Sequence, residues 1–204
     1  MSNPVIPATG ERQEGELTSD LPILSGWSWP YVAISGRRDG PRVTIIAGIH
    51  GCEYVSIRAA VRLAHELDPS ELIGQAVIVP IVSLPMFWER TPFVNPFDGK
   101  NPNRVFPGKA TGTFAEAMAY FIFESCIKPS DAFIDLHGGD MVEELAPFAG
   151  YAANAEPSVA ARSKAMAEAF GLDFLIPHRR EFGSPPGFTH LSAAQQGIAA
   201  VLDE

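Results

Sequence analysis

Residues 42–53 read RVTIIAGIHGCE, and the order of residue types in them decides the fold. The β-branched run from Val43 to Ile46 is strand material, and Gly48 ends it. Past Glu53 the apolar residues fall at 57, 60, 61, 64 and 67, a helical stripe that Pro69 closes. A buried strand running through a glycine turn into a helix is the unit of an α/β sheet. Ligands in such sheets bind beyond the carboxyl ends of the strands, which is where His50 and Glu53 stand.

At three residues apart at a helix start, His50 and Glu53 can converge on one point. Zinc accepts imidazole nitrogen and carboxylate oxygen, and a set of two His and one Glu leaves a position open for water. A capping Glu beside a hydrogen-bonded loop His would give the same short pattern, so the pair alone leaves both readings open.

Working outward, 31–35 and 42–48 are strand-like and separated by GRRDGP, whose Asp39-Gly40-Pro41 turn signal predicts a hairpin. Residues 75–82 (QAVIVPIV) read as a strand covered on both faces. Residues 84–112 carry prolines at 85, 92, 96, 102 and 107 and read as a long, functional loop. Helices are expected at about 113–126, 157–170 and 188–196. Strands are expected at 131–136, 148–152 and 174–176, with a Pro/Gly-rich loop at 177–187 and a final strand, IAAVLDE, at 198–204. The alternation predicts an α/β fold: a mixed central sheet flanked by helices. Residues 1–24 are expected to be an N-terminal arm or an edge strand, and 25–204 one catalytic domain.

Two further pieces carry chemistry. Residues 135–140 read DLHGGD at a strand end, so His137 is a candidate third ligand, or an ordinary hydrogen-bonded His. Asp135 lies two residues earlier on the same strand face and can orient an imidazole. Residues 101–108 read NPNRVFPG, with Arg90 upstream. An Arg there either forks onto a substrate carboxylate or ties the loop to the body.

The remaining composition sets bounds. The chain has 204 residues, 46% of them hydrophobic, enough for one sizeable core. A net charge of −9 gives no electrostatic reason to bind nucleic acid or an anionic membrane. Only Cys52 and Cys126 are present, and the N-terminus lacks an apolar signal segment, so a cytoplasmic location is expected.

Together, GIHGCEY, NPNRVFPG and DLHGG closely resemble the succinylglutamate desuccinylase/aspartoacylase family of zinc carboxypeptidase-like (phosphorylase/hydrolase-like) fold. The resemblance spans about residues 25–204. It implies a deacylase in which His50, Glu53 and His137 bind Zn²⁺, Asn103 and Arg104 grip the substrate carboxylate, and Arg90 polarises the scissile carbonyl. It places Glu204 as general base at the end of the final strand. Pro102 stands where the family usually has Leu, and Ala199 where it usually has Pro. The family continues into a β-rich domain that this sequence lacks after Glu204, so Glu204 is expected to fray. The implied partner is a small N-acylated amino acid, with a homo-oligomer as a possible assembly. Rival readings are a metallocarboxypeptidase cutting peptides, a non-catalytic zinc- or ligand-binding remnant, and a hydrolase using Cys52 as nucleophile.

Overall fold

The computed structural model describes residues 1–179 and 187–204. Among them, eight strands form one sheet: β1 (Arg12–Thr18), β2 (Ser28–Ser35), β3 (Arg42–Ala47), β4 (Gln75–Val79), β5 (Ala132–Leu136), β6 (Phe148–Ala152), β7 (Phe174–His178) and β8 (Ala199–Asp203). Their spatial order is β1-β2-β4-β3-β5-β8-β6-β7. The centre, β4-β3-β5-β8, is parallel, and antiparallel pairings flank it at β1/β2, β2/β4 and β8/β6.

Helices α1 (Tyr54–Glu66) and α4 (Pro157–Ala169) cover the face that carries Ile45 and Val201. Helices α3 (Phe114–Ile122) and α5 (Thr189–Gln195) lie on the opposite face with Ile46, Phe133 and Ala200. Burial on both faces explains why β3 and β4 read as nearly continuous apolar runs. The largest core residues, among them Trp29, Phe106, Phe121 and Phe133, are fully buried on the α3 side. No helix among the described residues is long and apolar enough to cross a membrane.

The expected hairpin does not form. β4 lies between β2 and β3, so the two strands never pair. The GRRDGP connector crosses the start of β4 instead: Gly36 N–H donates to Gly74 O at 2.8 Å and Gly74 N–H donates to Arg38 O at 3.0 Å. A strand as apolar as β3 is better placed with a neighbour on each side than at the turn of a hairpin. Of the two expectations for residues 1–24, the edge strand is the one that forms: β1 lies at the end of the sheet. β1 pairs along its whole length with β2, and Leu17 and Leu24 are fully buried.

The stretch 84–112 is not structureless. Leu84–Glu89 forms α2, with Pro85 in its first turn, where its missing N–H is no loss. A short 3₁₀ turn covers Pro102–Arg104. The helix expected to reach Cys126 is α3 followed by a wider turn, Phe123–Ile127. Of the loop expected at 177–187, residues 180–186 lie outside the described residues.

β3 sends its chain to β4 on one side, and the next parallel strand, β5, lies on its other side. The carboxyl ends of β3 and β5 therefore flank a switch point in strand order, where open α/β sheets bind their ligands.

Candidate metal centre

His50 follows β3 through Gly48-Ile49, Glu53 caps α1, and His137 follows β5 directly. Two glycines let these segments close up. A Cβ on Gly51 would lie 2.3 Å from Phe87 N, so only glycine lets α2 pack on the His50–Glu53 turn. A Cβ on Gly138 would lie 2.4 Å from Val55 Cγ2, so the exit of β5 can rest against the first turn of α1.

The result is one cluster. The ligand atoms of His50, Glu53 and His137 all lie within 4.8 Å of one another, and all three residues are buried. His50 Nδ1 is 2.6 Å from Glu53 Oε1, and His137 Nδ1 is 2.9 Å from Glu53 Oε2. The far nitrogens are occupied. His50 Nε2–H donates to Asn101 Oδ1 at 3.0 Å, and His137 Nε2–H donates to Asp135 Oδ2 at 3.0 Å. With those protons assigned, both Nδ1 atoms present lone pairs to a carboxylate that also only accepts. His137 Nδ1 and Glu53 Oε2 are buried with no hydrogen-bond partner among the described residues.

An acceptor-only, buried set of two imidazoles and a carboxylate fits a divalent cation. The titration directions show the same demand for positive charge, which protons meet where no ion does. Burial pushes Glu53 up, but the imidazoles of His137 and His50 outweigh it and hold the carboxyl at about 2. Burial likewise works against a charged His137, yet Asp135 and Glu53 pull its pKa well above the ordinary value. The site calls for positive charge.

The other expected residues are placed unevenly. Asn103 is buried beside the cluster, its Nδ2 3.3 Å from His137 Nε2 and its Oδ1 accepting from Thr189 N–H at 2.9 Å. Arg104 is exposed. Its Nη1 donates to Asn103 O at 2.9 Å, and its guanidinium stacks 4.1 Å over the Phe188 ring. Glu204 does not fray: its N–H donates to Phe148 O at 2.9 Å and its O accepts from Phe148 N–H at 2.8 Å. Burial raises the Glu204 pKa, with His137 opposing and Glu53 adding to the rise, and Glu204 in turn pulls the Arg104 pKa up against burial. Arg90 is not brought into contact with the triad. It ends α2 in a left-handed conformation (φ 55°, ψ 44°) and lines an open cavity of about 640 Å³ with Tyr54, Phe87, Trp88 and Met141.

Cys52 does not suit a nucleophile. It is 1% exposed, and burial raises its thiol pKa, the wrong direction for a reactive thiolate. The nearby His50 Nδ1 faces Glu53 instead. Trp88 is 68% exposed, and His190 is fully buried with its Nε2 2.9 Å from His178 Nδ1. Two residues escaped the sequence reading. Asn101 lay inside a quoted motif without a role, and Thr189 carried no signal beyond standing at a helix start.

The sequence pattern of the "Succinylglutamate desuccinylase/Aspartoacylase catalytic domain" matches residues 39–204. The N-alpha-acetyl-L-2,4-diaminobutyric acid deacetylase of Halomonas elongata is 32% identical over 147 residues, which are 71% of this chain and 42% of that protein. The crystal structure of an aspartoacylase family protein from Mesorhizobium loti superposes with a TM-score of 0.80 at 26% identity, covering 97% of this chain and 62% of the other. A metallo-carboxypeptidase from Burkholderia cenocepacia, at 19% identity and a TM-score of 0.68, shares the fold over 95% of this chain and 55% of its own. The chain thus spans less than half the length of the curated relative and under two thirds of these solved structures.

Proposed function

The chain belongs to the succinylglutamate desuccinylase/aspartoacylase family, and we propose that it holds zinc with His50, Glu53 and His137 and hydrolyses the amide of a small N-acylated amino acid. The observation that carries this reading is the pair of imidazole Nδ1 atoms, 2.6 and 2.9 Å from the two oxygens of one buried carboxylate. Bound zinc supplies a Lewis acid and lowers the pKa of a water it coordinates from 15.7 to roughly 7.

The chain's own residues supply the rest. Asn101 and Asp135 hold the two imidazoles in the tautomer that leaves Nδ1 free. Glu204 takes the proton of the attacking water and delivers it to the leaving amine. Its burial-raised pKa moves it toward the working range of a general base. Asn103 Nδ2 and the Arg104 guanidinium receive the substrate carboxylate, the guanidinium in bidentate fashion. Arg90 donates to the carbonyl oxygen as negative charge develops there. The name of the Halomonas relative makes N-acetylated amino acids the first substrates to try.

The test measures zinc by elemental analysis and amine release from N-acetyl amino acids, for the wild type and for Glu204→Gln. About one zinc per chain, with hydrolysis that the Gln variant loses while keeping its metal, supports the reading. A wild-type chain without zinc, or a zinc-loaded one that releases no amine from any N-acyl amino acid, sinks it.

A further inference from the structure

One residue outside the recognised motifs touches both halves of this site. Thr189, the first residue of α5, is fully buried. Its hydroxyl donates to Asp135 Oδ2, the oxygen that also accepts from His137 Nε2–H at 3.0 Å. Its backbone N–H donates to Asn103 Oδ1 at 2.9 Å. Asp135 is itself fully buried, and its other oxygen, Oδ1, has no hydrogen-bond partner among the described residues. Among the described residues, the Thr189 hydroxyl and the His137 ring are thus the two groups that hydrogen-bond this carboxylate.

A carboxylate held by one hydrogen bond can swing about it; held by two it keeps its angle. The amide of Asn103 is settled by the same residue. With Oδ1 taken by the Thr189 N–H, the NH₂ group is left on the His137 side, its Nδ2 3.3 Å from Nε2; because Nε2 donates to Asp135, the two nitrogens do not pair and the NH₂ protons stay available to a ligand.

We propose that Thr189 is a positioning residue that sets the metal-facing and substrate-facing groups together, resting on the zinc reading above. Its hydroxyl holds Asp135 so that His137 keeps its proton on Nε2 and its lone pair on Nδ1. Its N–H keeps the Asn103 amide group aimed into the site.

Substitution separates the two arms, because a side-chain change leaves the backbone N–H in place. Thr189→Val removes the hydroxyl at nearly constant shape. Zinc affinity, read by competition with a chromogenic chelator, is expected to fall about 10–100-fold, the range for loss of a group that orients a metal ligand. KM at saturating zinc is expected to stay within about twofold, since a uniform binding contact is untouched. Thr189→Ser is expected to restore zinc affinity, and Thr189→Ala serves with the valine's expectation if the valine does not fold. Circular dichroism and thermal unfolding of the metal-free forms register any loss of fold. A hydroxyl-free variant with wild-type zinc affinity overturns the proposal, as does a serine variant as weak as the valine. A wild-type chain with no zinc affinity at all overturns the metal reading and this inference with it.

Discussion

Strands β3 and β5 carry two clusters of buried polar groups, one toward each end, and the clusters are built on opposite principles. Toward the amino end, Thr44 Oγ1 lies 2.9 Å from Cys126 O and 2.6 Å from Ser130 Oγ, and Ser130 Oγ donates to Cys126 O at 2.9 Å. Hydroxyl protons and acceptors match, and the cluster is neutral and closed. Cys126 beside it is fully buried, and burial pushes its thiol up to about 12. Beyond the carboxyl end, His50 and His137 turn Nδ1 toward the two oxygens of one buried Glu53 carboxylate, and two of the facing atoms, His137 Nδ1 and Glu53 Oε2, lack a hydrogen-bond partner among the described residues. Hydrogen bonds that are complete hold a fold together; a set of buried acceptors that is incomplete marks where a ligand belongs.

This contrast can be broken most severely at the open cluster. His137→Ala is expected to reduce zinc from about one per chain to none and to abolish hydrolysis, read by elemental analysis and amine release. Zinc retained in that variant would erase the distinction. Arg90→Ala is expected to lower kcat about 10²–10³-fold with zinc content unchanged, the usual loss for one oxyanion donor. A wild-type kcat would mean that Arg90 stays in the cavity wall where the structure places it. Zinc at about 100 times its dissociation constant should stabilise the wild type by about 2.7 kcal/mol. For a chain of this size that is a rise of roughly 5–10 °C in Tm by differential scanning fluorimetry. The closed cluster should answer differently. Thr44→Val is expected to cost about 1 kcal/mol in urea unfolding, the net worth of a neutral hydrogen bond, with zinc content and kcat unchanged.

The smallest effect concerns acid stability away from both clusters. The Lys100 ammonium and the Thr113 N–H hold Glu116 down from its ordinary 4.5 to about 2. A carboxylate with a lowered folded-state pKa contributes stability above about pH 4.5 and loses it as the pH falls toward 2. Glu116→Gln should flatten that part of the stability–pH curve, measured by thermal unfolding between pH 2 and 6. The curve between pH 6 and 8 should keep its shape.

The open cluster was more legible in the sequence than the architecture around it. His50 and Glu53 sit three apart at a strand-to-helix junction, and His137 ends another apolar strand, so local pattern places all three at strand ends. Strand partners are set by tertiary packing, and the Asp39-Gly40-Pro41 turn signal said nothing of β4 arriving between β2 and β3. α2 hid behind Pro85, which reads as a loop residue unless the helix start is already known. Arg90 was recognisable as a residue type in the right loop, but its distance from the triad depends on how α2 ends. Thr189 was invisible, because its two partners, Asp135 and Asn103, lie far away in sequence.

The pairing of β3 with β5 bears on how the molecule assembles. His50 and His137 come from strands separated in the chain by α1, β4, α2 and α3, although they are neighbours in the sheet. Bringing such distant segments together is slow, because loop-closure entropy must be overcome before the contact forms. Metal uptake should therefore lag behind the recovery of helical signal in stopped-flow refolding, which would make it a reporter of the completed parallel core.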